Sequence, residues 1–350
     1  MKLDVGILGY GIYLPSHVMS AADLAAATEG RWSAEAVREK LGILKKTIPG
    51  PDDGTQEMGA RAALDALART GIDPLEIDLI LCMGEEWKEY PLTTSAIHIQ
   101  ERIGAHRAWG IDLQQRCNST VAAIKIAKDM MIADPDIATT MIVGGYRNGD
   151  LIDYTDPDVS FMYDLAAGAG ALILRRNLGR NRVLGSHIIT DGSLSRDVGV
   201  RYGGTEQPIE FLAEATLADL RQRGNRSLCV FDAEHMKNRL NEVSMPNWLA
   251  CIDRALEKSG ATRADIDFLN VLHFKRSMHA GLLETLNLRP EQSAYLESYG
   301  HVGQVDFMLS LHEGLQQERL KEGSLMVAIA AGIGYVWGAT VVRWGSADSA

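Results

Sequence analysis

Apolar residues fall along this chain in two registers. Short unbroken runs, Leu79–Met83, Met141–Val143, Ala171–Leu174 and Leu325–Ala330, show no polar alternation. Such runs predict strands buried on both faces. Between them, apolar residues recur at helical spacing: Met58, Ala62, Leu64, Ala66 and Leu67, then Trp248, Ile252, Ala255 and Leu256. These stripes predict helices facing a core. The opening MKLDVGILGYG reads as one more strand. Strands alternating with helices predict an α/β fold.

The pattern also repeats. Residues 66–82 (ALARTGIDPLEIDLILC) are echoed by residues 255–271 (ALEKSGATRADIDFLNV), at an offset of 267 − 78 = 189. Each reads as a helix end, a Gly turn, a short acidic helix, and Ile-Asp opening an apolar strand. Residues 110–133, a strand into a helix, correspond to 294–322; MIVGG at 141–145 corresponds to 325–332, and 168–174 to 336–342. Each half then carries strand, helix, strand, helix, strand, strand. The expectation is two similar α/β halves, 1–175 and 176–350, packed together. Residues 192–250 have no echo and are expected to cover a site and shape a substrate channel.

Composition narrows the function. The 350 residues are 46% hydrophobic and 23% charged, with a net charge of −11 and no long basic run, which argues against a nucleic-acid binder. Arg175-Arg176 and Arg180–Arg182 form a short basic cluster, read as a solvated turn or a docking point for an acidic carrier. Four cysteines lack CxxC spacing and nine histidines lack HxxxH or HExxH spacing, so no metal site is expected. No signal peptide or membrane-length apolar window is seen, and a cytoplasmic protein is expected. GILGYG at 6–11 mimics a dinucleotide loop, but Pro15 follows at once and no helix with an acidic partner appears, so a nicotinamide cofactor is not expected.

Candidate chemistry centres on Cys117, in DLQQRCNST before an Ala-, Ile- and Met-rich helix. A cysteine at a helix start meets unpaired N–H groups and the positive end of the dipole, which favour thiolate. By itself such a residue is also commonly a small buried hydrophobe. His273 ends the apolar run 268–272, where α/β folds bind ligands. His301, between Tyr299-Gly300 and Gly303, is the echo's counterpart of Cys117: both sit at strand-to-helix turns.

In this order and spacing, several segments together resemble the thiolase superfamily, nearest to β-ketoacyl-acyl-carrier-protein synthase III. They are GILGYGIYLP, Trp32 followed by Lys40-Leu-Gly-Ile43, the Cys117 turn, DLAAGAGALIL, Asp191-Gly192-Ser193 with Gly203-Gly204, Asn270-Val-Leu-His273, and Gly332-Ile-Gly-Tyr-Val-Trp-Gly338. The resemblance covers essentially the whole chain. It implies a thiolase-like fold, a five-layered α-β-α-β-α sandwich, and a homodimer joined through its central sheets. It implies that Cys117 accepts an acyl group, that His273 is catalytic, and that backbone N–H groups of Cys117 and Ile333 form an oxyanion hole. The substrates implied are an acyl-CoA and a malonyl thioester on CoA or an acyl carrier protein, in a decarboxylative Claisen condensation of the fatty acid biosynthesis type, with no cofactor beyond the thioesters.

The chain departs from that family in three places. His301 stands where the family has Asn, giving a Cys-His-His set like that of the elongating synthases. Phe274-Lys275-Arg276 replaces the "QAN" after the histidine. Glu86, with Glu85 beside it, stands near the general-base Glu of 3-hydroxy-3-methylglutaryl-CoA synthases. The alternatives are therefore a non-decarboxylating condensation through Glu86, acyl transfer to a small nucleophile, and a non-catalytic scaffold. Substrate contacts are expected from Trp32, Gly204, Lys275 and Arg276. Acyl length is expected to depend on Met162, Tyr163, Phe211, Leu212 and Tyr90, the last lining the partner subunit's pocket.

Overall fold

The computed structural model describes residues 3–84, 87–223 and 227–346. Its strands are β1 (Val5–Tyr13), β2 (His17–Ser20), β3 (Lys45–Ile48), β4 (Leu79–Met83), β5 (Trp109–Leu113), β6 (Thr139–Tyr146), β7 (Gly168–Arg176), β8 (Arg180–Thr190), β9 (Val198–Val200), β10 (Leu228–Val230), β11 (Phe268–Val271), β12 (Leu325–Gly332) and β13 (Val336–Ser346). Its α-helices are α1 (Ala21–Ala27), α2 (Ala34–Ala36), α3 (Thr55–Thr70), α4 (Ser95–Ile103), α5 (Ser119–Ala133), α6 (Glu214–Arg223), α7 (Ala233–Ser259), α8 (Arg276–Thr285) and α9 (Asp306–Gln316).

Nine strands form one mixed sheet in the order β11-β12-β13-β8-β1-β7-β6-β4-β5. β4 pairs in parallel with β5 and β6, and β11 in parallel with β12; β6–β7 and β12–β13 are antiparallel. The two arms of the sheet meet at a single pair, Gly6 opposite Arg182. Helices α3 and α4 cover one arm and α7 the other, while α5 packs on β4, β6, β8, β12 and β13 between them. The layers therefore run helix, sheet, helix, sheet, helix, in the thiolase-like manner.

The repeated sequence is realised down to its hydrogen bonds. Helices α3 and α7 both end on a left-handed glycine, Gly71 and Gly260. Asp73 with Glu76, and Thr262 with Asp265, then build the same capping box. The Ile-Asp pair that follows has one job in both arms. Asp78 Oδ2 accepts the N–H groups of Ala138 and Thr139 at 2.9 Å, and Asp267 Oδ2 accepts that of Leu325 at 2.7 Å. Each carboxylate thus pins the start of the neighbouring strand.

Four details differ from the pattern read off the chain. The second-half counterpart of β5 is reduced to one bridge, Leu269 with Ser293. Leu64 is exposed, because it lies on the opposite side of α3 from Met58, Ala62 and Ala66. The unechoed cover also ends earlier: α7 begins at Ala233 and continues without a break into the echoed helix end, with Pro246 inside it. Arg175 and Arg176 are tied inward, to Glu76 and to carbonyls at the end of α5, rather than presented as a free basic cluster.

Candidate active site

Cys117 sits in a 3-10 turn, Arg116–Asn118, that runs straight into α5. Arg116 takes a positive φ of 52°, a strained conformation for a side-chain-bearing residue. Local bonds hold the turn: Gln115 N–H to Ser119 Oγ at 2.8 Å and Asn118 Nδ2 to Gln115 Oε1 at 2.7 Å. His301 occupies the matching turn of the other arm, followed by the 3-10 turn Gly303–Val305 and α9. The two turns meet, with His301 Nε2 3.1 Å from Cys117 Sγ.

Behind His301 stands Asp306, the first residue of α9 and fully buried. Its Oδ2 lies 2.6 Å from His301 Nδ1 and accepts the His273 backbone N–H at 2.8 Å; its Oδ1 accepts the Val302 N–H at 2.9 Å. A carboxylate on Nδ1 fixes the tautomer and leaves Nε2 to the sulfur. Burial is the largest single influence on His301 and opposes its charge. The negative charges at Cys117 and Asp306, with their hydrogen bonds, outweigh it, and the imidazole is held well above its ordinary pKa. The geometry is that of a sulfur nucleophile paired with an oriented base.

His273 lies two residues beyond β11 and is also buried. Its Nε2 is 3.1 Å from the Leu41 carbonyl oxygen and 3.5 Å from Asp164 Oδ2. Burial, aided by His301, pushes its pKa down against Asp164, Asp306 and the Leu41 bond. A neutral ring that gives its Nε2–H to Leu41 keeps a bare lone pair on Nδ1, a buried atom with no partner among the described residues. His273 therefore offers a hydrogen-bond acceptor at Nδ1.

Cys117, His273 and His301 line one cavity of about 650 Å³. Its far wall is apolar, with Phe161, Met162, Leu228, Met236, Leu240 and Trp248. Ile333 also lines it, in the turn after β12. Gly332 must be glycine there: a Cβ would stand 2.7 Å from the Gln115 carbonyl and 3.0 Å from Arg116 Cβ, against the Cys117 turn itself. Cys251 has a different setting, with its thiol 3.4 Å from the Trp337 carbonyl oxygen. Burial pushes that thiol up to about 12. Among the described residues no three His, Cys, Asp or Glu side chains are grouped to hold a metal ion, and no helix is long and apolar enough to cross a membrane.

The remaining candidates divide. Met162 and Lys275 line the cavity. Trp32 does not; it packs edge-on against Tyr163 with its ring under the Lys40 ammonium. Arg276 does not either; it pairs with Glu297 at 2.6 Å and lies over the Tyr295 ring. Phe211 and Tyr90 are exposed, and Gly204 sits on an exposed bend of the cover segment. Glu85 and Glu86 lie outside the described residues. Asp306 was missed, although a carboxylate five residues after a turn histidine, opening an apolar helix, was a readable signal.

Comparison with known proteins agrees with this geometry. Residues 111–192 match the family model of 3-oxoacyl-[acyl-carrier-protein] synthase III, and residues 256–344 match that of its C-terminal part. The chain is 27% identical over 347 residues to β-ketoacyl-[acyl-carrier-protein] synthase III of Symbiobacterium thermophilum, covering 99% of this chain and 100% of that one. It is 29% identical over 350 residues to the synthase III of Rhodospirillum centenum, covering 98% and 100%. The crystal structure of synthase III from Thermus thermophilus superposes with a TM-score of 0.82 at 22% identity, covering 98% of this chain and 100% of that one. Across these comparisons the chain resembles the 3-oxoacyl-[acyl-carrier-protein] synthase III family, condensing acyltransferases, and shares their thiolase-like fold.

Proposed function

We propose that the protein loads an acyl group from an acyl-CoA onto Cys117 and condenses it with a malonyl thioester carried by CoA or an acyl carrier protein. The observation that carries this is the 3.1 Å contact between Cys117 Sγ and His301 Nε2, closed behind by Asp306. The thiolate attacks the acyl carbonyl, whose oxygen settles against the backbone N–H groups of Cys117 and Ile333. A thiolate leaving group departs without needing a proton, so His301 stays protonated after loading. Its Nε2–H, freed from the sulfur, then holds the malonyl thioester oxygen while CO₂ leaves and an enolate forms. The enolate carbon attacks acyl-Cys117, the C–S bond breaks, and the thiolate returns to His301. A second subunit completes the particle: β5 is the sheet edge and exposes Trp109 and Ile111, suited to pairing with its copy.

A second reading rests on His273. A bare buried Nδ1 in the cavity wall suits proton abstraction from an alcohol, amine or acetyl-thioester acceptor, with no loss of CO₂. Intact-mass measurement after incubation with an acyl-CoA panel should show one acyl group, absent in Cys117→Ser. Carboxyl-labelled malonyl thioester should then release labelled CO₂ only with loaded enzyme. Loading without CO₂ release, with the acyl group passing to another acceptor, would establish the second reading instead.

A further inference from the structure

Lys46, in β3, has no exposed surface, and the reaction above gives it no part. A buried ammonium persists only where its donors are filled. Here all three have acceptors: the Tyr154 hydroxyl at 2.6 Å and the carbonyls of Tyr163 at 2.7 Å and Leu165 at 2.6 Å. The Tyr154 ring also lies beside it, 4.9 Å from the nitrogen. Burial lowers the ammonium to about 7, against the pull of Asp164.

The placement of those carbonyls matters. Tyr163 and Leu165 flank Asp164, and Asp164 reaches both histidines. Its carbonyl accepts the His301 N–H at 2.9 Å, and its carboxylate is 3.5 Å from His273 Nε2. Leu165 forms a parallel bridge with His301, and Ala166 N–H donates to the His301 carbonyl at 2.9 Å. The junction has no slack. A Cβ on Gly300 would stand 2.6 Å from Lys46 Cβ and 2.7 Å from the Asp164 carbonyl.

We propose that Lys46 is a positioning residue: by clamping the carbonyls on both sides of Asp164, it presents the Asp164 carboxylate to His273 and the Asp164 carbonyl to His301. The inference rests on the condensing reading above and adds His273 to its second step, where the ring lines the space beside His301 that the malonyl thioester enters. It separates two steps that one structural tie would affect alike. His301's ring is oriented by Asp306, independently of the clamp, so loading of Cys117 tolerates its loss. The His273 ring, by contrast, is held at Nε2 by the Leu41 carbonyl and Asp164, and Asp306 holds only its backbone N–H.

The test compares Lys46→Met, which keeps the aliphatic stem, with Lys46→Arg, which keeps charge and donors. Single-turnover loading of Cys117 and the following condensation are measured separately, with amide hydrogen exchange over residues 160–168 and 297–303. In Lys46→Met, loading is expected to stay within about threefold of wild type while condensation falls roughly 100-fold, the scale of a misplacement near 1 Å. Exchange at His301 and Ala166 should quicken, and Lys46→Arg should recover most of the lost condensation. Wild-type condensation in folded Lys46→Met, or equal losses in both steps, overturns the proposal. Should Lys46→Met not fold, Asp164→Asn must show the same split, since it removes the carboxylate and leaves the clamp's carbonyls; wild-type condensation there overturns it. If wild type loads but never releases CO₂, the condensing reading fails by itself, and unchanged exchange at His301 in Lys46→Met then decides against the clamp.

Discussion

At the scale of single residues, Asp306 changes what His301 is. An asparagine at position 301 could hydrogen-bond but could not take up a proton. A histidine with a carboxylate on its Nδ1 can take up a proton at Nε2, here 3.1 Å from Cys117 Sγ, and hold it. Because its pKa is raised on folding, the stability stored in the protonated ring is fully present below the ordinary imidazole value of about 6.5. That stability drains as pH rises through the raised value. Alkylation of Cys117 by iodoacetamide at pH 7 should therefore be fast, and in His301→Asn it should slow by roughly tenfold to 100-fold. Asp306→Asn should fall between the two and also lower Tm, since three N–H groups lose a charged acceptor. A wild-type rate in either variant would show that the pair is not coupled. Cys117, His273 and His301 were legible because each ends an apolar run or opens a helix, and the echo set two of those turns against each other. Asp306 carried a readable signal that was missed; Asp164 and Lys46 carried none. Their roles come from contacts between segments distant in sequence, and a lysine in Leu44-Lys45-Lys46 looks like any solvated charge.

At the scale of elements, α7 joins the cover to the core. Met236, Leu240, Ser244 and Trp248 recur every fourth residue and line the cavity together. Trp248 stacks on Phe274, the residue beside His273, with ring centroids 5.1 Å apart. One helical face thus forms a wall of the cavity that Cys117 also lines. The sequence stripe Trp248, Ile252, Ala255, Leu256 was readable as core. The cavity-facing turns before it were not, because a stripe of Met, Leu and Ser beside a void has the same spacing as one beside a sheet. Leu240→Trp should fill part of the cavity. Turnover of bulky acyl thioesters is expected to drop at least tenfold while alkylation by iodoacetamide, a small probe, stays unchanged. Equal turnover of short and long acyl thioesters in that variant would move the acyl path elsewhere.

At the scale of the whole molecule, the sheet has one edge that closes nothing. β5 pairs with β4 on one side only, and its alternate residues Trp109 and Ile111 are 49% and 47% exposed. Ile97 on the adjoining α4 and Tyr90 and Leu92 in the turn before it are exposed too. An uncovered strand edge flanked by apolar side chains invites a second strand. Pairing with the same edge of a second copy would bury all of these around one twofold axis, since β5 presents the same residues from both sides. Charge at this edge should prevent that: Trp109→Glu with Ile111→Lys is expected to sediment as a monomer at micromolar concentration while retaining its circular dichroism. If Tyr90 reaches the partner's acyl pocket, as the family resemblance implies, the monomer loses condensation, and Tyr90→Ala loses part of it while remaining dimeric. A double variant that stays dimeric would place the interface on another face. A monomer with full turnover would leave the acyl pocket complete within one chain, built from the cavity beside Cys117 alone.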